Sequence, residues 1–575
     1  MYPVPNEEIT IAWVVERGEP TSAPPPAPPA AVVEAYVVRT RYHSEASRWM
    51  TIVLVAVIAF GVRAVFLNRS YNIFIDEVTY FRVAQSVAQN LQVNLFGRPF
   101  LLHPPAFFFL EAAYLKVFRP TGTLIEQIYA ARYLNLACAA LSAVALFSIA
   151  RHVAGRAIGF IATTLFIIDP FIVETNSRNM LDTPAVCWVL VGYWIIVGAM
   201  GPERVALGRG RIGAAGAFFG LALLTKDMMA FVTLVPLAVL FTLRWSLPRR
   251  TTAGIIGVAC VTYGLYPLVV AIAGQWGPFV QQKTHGFRRF VGAAQETGFH
   301  HQGSPTLLST ILTQLAQFGT TYALIGLGAL AVCTLTLLGG PINRLLAVWT
   351  ASAYILLAYG IAFGALEEQF FYYLVVPALL ATTIAARLLA RSPRIGRAAR
   401  RFKHIAVALV VVCVGWGSYR WAYMHLTPGN GYEEALTYID RHVPPAQRHI
   451  ASTDVTGQFL LGKECSPPWG LWERVGQLQA SDATYVLVNP AQVVWDHGSA
   501  GLVVLRWIER HDHRVFYFSG NGMGANGPLA LYRLSARRTP GIASAGRRDD
   551  GKQGVGVLGG QRLRSRVRNR SGDDY

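Results

Sequence analysis

The stretch YNIFIDEVTYFRVAQSVAQNLQVNLFGRPFLLHPP, Tyr71–Pro105, decides how this chain is read. It follows a long apolar run, Trp49–Leu67. It carries adjacent carboxylates, Asp76 and Glu77, and ends in His103-Pro104-Pro105. Acids just beyond a membrane-length apolar run cost desolvation energy if they meet lipid, so they belong in a polar cavity. The remaining sequence reads as the walls of that cavity.

Outward from this stretch, the composition sets the class. Of 575 residues, 53% are hydrophobic and only 14% charged, and the mean hydropathy is +0.36. A soluble chain carries about a quarter charged residues. Apolar runs of about 17–25 residues recur, which is the length that spans a bilayer. The fold class is therefore an all-α polytopic membrane protein. The net charge of +19 lies largely in basic turns and in the tail after Arg537. The cytoplasmic bias of Lys and Arg accounts for the turns, so no nucleic-acid partner is implied. The six Cys are scattered and form no CxxC, which argues against a disulfide framework or a cysteine zinc site. No apolar core of a cleavable signal precedes Arg48, so the first apolar helix reads as an uncleaved anchor.

Four basic turns, Arg151–Arg156, Glu203–Arg211, Arg244–Arg250 and Arg387–Lys403, belong in the cytoplasm. That assignment gives about eleven spans. They fall near 49–67, 127–150, 157–173, 183–200, 212–226, 229–243, 252–273, 307–336, 344–364, 369–388 and 404–422. Residues 1–48, with SAPPPAPPAA, read as a disordered cytoplasmic N-terminus. Residues 49–423 form the membrane domain, with 68–126 as its first extracytoplasmic loop. Residues 424–536 read as a small extracytoplasmic α/β domain, with short strands in HIASTD, ATYVLVN, RVFYFS and ALYRL. Residues 537–575 read as a disordered basic tail. The run Pro105–Phe118 is short and carries Glu111 and Lys116. A crossing there would move every later basic turn outside, so it reads as a surface or re-entrant helix; an ordinary short span is the alternative.

The outer face then receives 68–126, Glu174–Pro184, Thr225–Asp227, Gly274–Pro305 and Gly364–Tyr373. Two of these segments carry cations against the positive-inside bias. One holds Arg82, Arg98 and His103. The other is QQKTHGFRRF, Gln281–Phe290, with Arg288 and Arg289, followed by His300 and His301. Such cations suggest an anionic ligand. The set fits transfer of a sugar from a lipid phosphate. A departing phosphate needs no strong general acid, whereas a hydroxyl nucleophile needs one carboxylate to take its proton. Cations and donors hold the growing phosphate charge. Asp76, Glu77 and Asp182 supply the acids; His103, Arg178, Lys226, Arg288 and Arg289 supply cations or donors.

The Asp76-Glu77 pair, His103–Pro105, RYLNL from Arg132, SRNMLDTP at Ser177–Pro184 and LTKD at Leu224–Asp227 together resemble a known group. It is the protein O-mannosyltransferase and aminoarabinose transferase superfamily of GT-C enzymes, and the resemblance covers roughly residues 49–390. It implies a polyprenyl-phosphate-linked monosaccharide donor and inversion at the anomeric carbon. It also implies an active site on the extracytoplasmic face of the cytoplasmic (inner) membrane, and a soluble outer domain after the last span. The acceptor hydroxyl stays open between protein, lipid and cell-wall glycan. The resemblance makes Asp76 the base or acceptor-positioning acid, with Glu77 and Asp182 shaping the acceptor and sugar sites. His103 falls at the donor phosphate, and Arg132, Arg178 and Lys226 near the donor. One departure stands in EQFFYYLVVP. Many relatives have Lys or Arg just before the Tyr-x-x-Pro, but here Phe371 and Tyr372 precede Tyr373. Arg288 or Arg289 would then substitute at the phosphate.

Each of these residues also has a structural reading. Asp76 and Glu77 fit a solvated helix N-terminus. His103 fits a turn before Pro-Pro, and Asp182 a helix cap. Lys226 fits a snorkelling side chain, Arg288 and Arg289 solvated loop charges, and Arg132 an ion pair with Glu126. A divalent metal held by Asp76, Glu77 and His285, His300 or His301 is left open, because no H-E-x-x-H spacing occurs. The rival functions are a flippase or transporter of lipid-linked sugars and a degenerate relative whose outer domain only recruits a partner. A transporter places ionisable residues near the midplane and often shows repeat symmetry, and neither is visible here.

Overall fold

The computed structural model describes residues 30–201, 207–293, 306–363, 369–391, 396–462, 475–522 and 527–535. His300, His301, the Pro-rich residues 1–29, the tail 537–575 and parts of the turns Glu203–Arg211 and Arg387–Lys403 lie outside these. The chain divides at Leu54, within its first helix, and the loop packing and the candidate site described below lie in the unit from Val55 onward. That first helix, Ala30–Ala64, begins inside the stretch read as disordered. After Pro29 no further proline interrupts the chain there, so nothing blocks the helical hydrogen bonds.

Among the described residues, seven helices are long and apolar enough to cross a membrane, or eight if one bent pair counts as a span. This is fewer than the eleven expected from charge bookkeeping. Asp182–Val197 and Asp227–Leu243 are apolar but shorter than the usual span of about 20 residues. The run expected as one span over 157–173 is instead the bent pair Arg156–Ile168 and Pro170–Asn176, which meet at 66°. The break follows from local chemistry. Pro170 has no N–H for the Phe166 carbonyl. The buried Arg63 supplies the missing donor from Nη2 at 3.1 Å. Asp169 caps the second segment, accepting from the Ile172 N–H at 3.1 Å, and its carboxylate also accepts from the Thr321 hydroxyl at 2.9 Å.

Close helix packing elsewhere rests on small residues. Arg209–Thr225 lies against Arg249–Ile272 at Gly216 and Gly220. A methyl group at Gly216 would sit 2.6 Å from the Val258 Cβ and 2.8 Å from the Ile255 carbonyl oxygen. The four-residue spacing puts both glycines on one face, so the two backbones can approach.

The first loop is folded rather than open. Ile75–Asn90 is followed by a hairpin of Asn94–Leu95 with Arg98–Pro99 and then by Ala106–Phe118. Ile75–Asn90 is apolar on two faces. Tyr80, Val83 and Val87 pack on Phe107, Phe108, Met180 and Leu181. Val78 and Phe81 pack on Ile125, Ile128 and Tyr129 of Leu124–Ala154. Each aromatic buried in this way contributes about 1.5–3 kcal/mol. The helix is therefore held from both sides, and its N-terminal turn with Asp76 and Glu77 is fixed in place.

The C-terminal segment contains the four expected strands. They form one sheet in the order Ile450–Ser452, Tyr485–Val488, Leu529–Arg533, His513–Phe518, parallel at the first pair and antiparallel after it. Helix Gly431–His442 covers one face through Tyr432, Ala435 and Ile439, and Pro490–His511 covers the other through Val493, Val504 and Ile508. Tyr485–Val488 is buried on both sides, which is why it reads YVLV without alternation. Several hydrogen bonds tie this segment to residues 69–72, three of them at 3.1 Å or shorter. These three run from the Gly429 N–H to the Arg69 carbonyl, from Asn521 Nδ2 to the Ser70 carbonyl, and from the Tyr432 N–H to Asn72 Oδ1.

Candidate active site

The Asp76–Glu77 turn splits two acids by direction. Glu77 Oε2 accepts from the Phe74 N–H at 3.1 Å, so it closes the first turn of its own helix. Its carboxylate also meets Arg132, whose Nε and Nη2 each lie 2.8 Å from one oxygen, and both side chains are fully buried. The rest of the guanidinium donates to the Tyr71 and Asn72 carbonyls at 3.0 and 3.1 Å. The expected alternative, Arg132 with Glu126, does not form: Glu126 instead completes a capping box with Thr123. Neither Glu77 nor Arg132 faces open space; each is enclosed as the other's partner. Asp76, one residue earlier, is partly exposed.

Asp182 and Lys226 form a second buried pair at 2.8 Å. Helix Asp182–Val197 starts at Asp182 itself, with Leu181 as its cap residue, so Asp182 does not cap it. Its Oδ1 also accepts from the Tyr373 hydroxyl, and the Lys226 ammonium lies 5.5 Å from the Tyr373 ring centre. Arg178 has a different partner. It pairs with Glu174 at 2.7 Å and rests 5.8 Å from the Phe74 ring centre. Tyr372 donates to Asn176 Oδ1 at 2.7 Å, so Phe371-Tyr372 brings no cation here.

His103 stands at the meeting point of three elements. Its Nε2 lies 3.4 Å from the Tyr80 hydroxyl, and Tyr80 is one helical turn from Asp76 on the same face. Burial first, then the charges of Lys226, Lys283 and Arg289, hold its pKa well below the ordinary imidazole value. The ring is thus neutral and set among cations.

Lys283 is a site residue that the sequence reading did not single out. It pairs with Asp227 at 2.6 Å and donates to the Leu102 carbonyl at 3.0 Å. The Tyr263 hydroxyl donates to the other Asp227 oxygen at 2.7 Å. Helix Trp276–Phe290 lays Gln282 and Lys283 against residues 99–102, with Gln282 accepting from the Leu101 N–H at 2.7 Å. The signal was present: Phe279, Lys283, Gly286 and Arg289 recur at helical spacing. Arg288 falls off that stripe and is exposed, whereas Arg289 is partly buried. Among the described residues no group of three His, Cys, Asp or Glu side chains is placed to hold a metal ion.

Residues 102–271 match a sequence family described as dolichyl-phosphate-mannose-protein mannosyltransferase. His103, Arg132, Arg178, Asp182 and Lys226 lie inside this match; Asp76, Glu77, Arg288, Arg289 and Tyr373 lie outside it. No curated protein matches the chain. Among solved structures the chain is similar to the oligosaccharyltransferase AglB of Archaeoglobus fulgidus, solved with an inhibitory peptide and a dolichol-phosphate. The identity is 14%, over 86% of this chain and 75% of that one, with a TM-score of 0.52. It is similar also to ArnT of Cupriavidus metallidurans bound to undecaprenyl phosphate, at 12% identity, over 86% of this chain and 99% of that one, again with a TM-score of 0.52. The resemblance drawn from the loop motifs therefore holds: this chain carries the GT-C glycosyltransferase fold, with a protein O-mannosyltransferase-type match across residues 102–271.

Proposed function

We propose that this protein is a membrane glycosyltransferase that moves one monosaccharide from a polyprenyl-phosphate donor to an acceptor hydroxyl on the extracytoplasmic face, with inversion. The observation that carries the reading is the grouping of Lys226, Lys283 and Arg289 around a neutral His103, joined through Tyr80 to the helix face of Asp76. Phosphate chemistry needs such cations, and acceptor activation needs such an acid.

In this mechanism the acceptor oxygen attacks the anomeric carbon from the side opposite the phosphate. Its proton passes to the Asp76 carboxylate. The bond from the anomeric carbon to the phosphate oxygen breaks, and the electron pair leaves with the lipid phosphate. Lys226, Lys283 and Arg289 stabilise that charge, and His103 with Tyr80 offers hydrogen-bond donors. Asp182 and Tyr373 hold Lys226 and border the sugar. The Glu77–Arg132 pair positions the Asp76 turn and takes no part in bond making. Arg178 and Arg288 stay outside the reacting centre.

The test is transfer of label from a panel of polyprenyl-phosphate sugars in membranes, wild type against Asp76→Asn. Label moved by the wild type and lost in the variant supports both the activity and the base. Equal transfer by both removes Asp76 from the role. Lipid-phosphate binding without any turnover favours a flippase of lipid-linked sugars.

A further inference from the structure

Glu111 sits mid-way along Ala106–Phe118, fully buried, in a helix too short to cross a bilayer. A carboxyl group is seldom enclosed in this way without an opposite charge beside it. Here the partner is neutral: Asn179 Nδ2 donates to Glu111 Oε1 at 2.5 Å. The Asn179 backbone N–H in turn donates to Glu77 Oε1 at 2.7 Å. Glu77 closes the turn that carries Asp76. Glu111 thus reaches the Asp76 turn by two hydrogen bonds, without touching Asp76.

We propose that Glu111 is a positioning residue for the transfer reaction, fixing the turn that carries Asp76 through Asn179 and Glu77. This rests on the reading of Asp76 as the base. Without the Glu111 oxygen, the Asn179 amide is left with an unpaired buried donor, and the loop from Ser177 to Leu181 loses its hydrogen bond to Ala106–Phe118.

Glu111 acts as a neutral acid. Burial pushes its pKa up to about 8, the Asn179 bond lowers it less, and the Glu77 charge adds to the rise. Its Oε2 has no partner among the described residues, which suits a protonated oxygen better than a charged one. The groups around it are few. Ile75–Asn90 presents Glu77, which Arg132 of Leu124–Ala154 pairs. The segment before Asp182 presents the Asn179 amide. Arg209–Thr225, also packed on Ala106–Phe118, brings no charge that acts on it. Ionisation on the alkaline side would set a second negative charge beside Glu77 and strain the turn.

The test uses the full-length protein in proteoliposomes or detergent, as wild type, E111Q and E111L, with two readouts. The first is the unfolding temperature against pH. An unfolded Glu111 releases its proton above 4.5, whereas the folded one holds it to about 8. Wild-type stability relative to E111Q should therefore fall across that window and level off above it. The second is sugar transfer. E111Q, which keeps the acceptor oxygen and cannot ionise, should retain a comparable kcat at neutral pH and lack the alkaline decline of the wild type. E111L should lower kcat on the order of 100-fold with little change in donor KM. An unchanged alkaline limb in E111Q, or wild-type turnover in E111L, overturns the proposal. Should E111L fail to fold, the E111Q profile decides. If the wild type transfers no sugar, the transferase reading fails by itself. The unfolding curves then decide the Glu111 network, and a pH-independent difference between wild type and E111Q overturns it.

Discussion

The Arg132 guanidinium meets the Glu77 carboxylate edge to edge, with two contacts of 2.8 Å, and neither side chain reaches solvent. Two charges removed from water in this way are stable only as a pair. Arg132→Met should cost about 3–5 kcal/mol in stability, because Glu77 is left charged and enclosed. The double variant E77Q/R132M should recover part of that loss. Denaturant unfolding of the detergent-solubilised protein measures both, and an additive double variant would show that the pair is not coupled.

The broken helix makes a second pair of residues interdependent. Arg63→Met leaves the Phe166 carbonyl without a donor and should cost about 1–3 kcal/mol. Pro170→Ala restores a backbone N–H opposite that carbonyl. In its background the Arg63 substitution should cost less, and a double-mutant cycle on unfolding temperature reads the coupling. Equal costs in both backgrounds would separate Arg63 from the break.

At the cationic end, Lys283 and Arg288 lie on the same helix and should behave differently. Lys283→Met should weaken undecaprenyl phosphate binding roughly tenfold, the scale of one charge-assisted hydrogen bond. Arg288→Ala, on the exposed side, should change it little. Binding of the lipid phosphate to the purified protein distinguishes them, and the reverse order would move the phosphate site to the other face of Trp276–Phe290.

His103 gives a prediction for acid conditions. Burial and the cations around it keep the folded imidazole neutral, while an unfolded His103 takes up a proton as pH falls through 6.5. The stability that the wild type has above 6.5 is therefore lost progressively below it. His103→Gln should show a shallower fall of unfolding temperature on acidification. A fall as steep as in the wild type would assign the acid sensitivity elsewhere.

The placement of Ala106–Phe118 outside the bilayer core is open to a topology test. A helix of 13 residues rises about 20 Å, well short of the hydrocarbon thickness of about 30 Å. Reporter fusions at Arg119 and Gly201 should read outside and inside. A cytoplasmic signal at Arg119 would turn this helix into a span and separate the loops of the proposed site.

The sequence by itself determined the class of this protein, because hydropathy and run length depend only on local composition. It also determined the motif set around Asp76, His103, Asp182 and Lys226, and the four C-terminal strands, whose apolar runs lie between clear turn residues. It expected eleven spans, whereas among the described residues seven helices, or eight with the bent pair, are long and apolar enough to cross; charge bookkeeping cannot see that Pro170 breaks one run or that Asp182–Val197 is short. Only the tertiary structure decided which acid is enclosed and which stays accessible. Asp76 and Glu77 are neighbours of the same chemical type, and a helix turns successive side chains about 100° apart. One meets Arg132 and is enclosed, while the other stays accessible. The same holds for Arg288 and Arg289, and for Glu111, whose partner Asn179 lies 68 residues away along the chain. Long-range pairing of this kind depends on how helices pack, and local sequence carries no record of it.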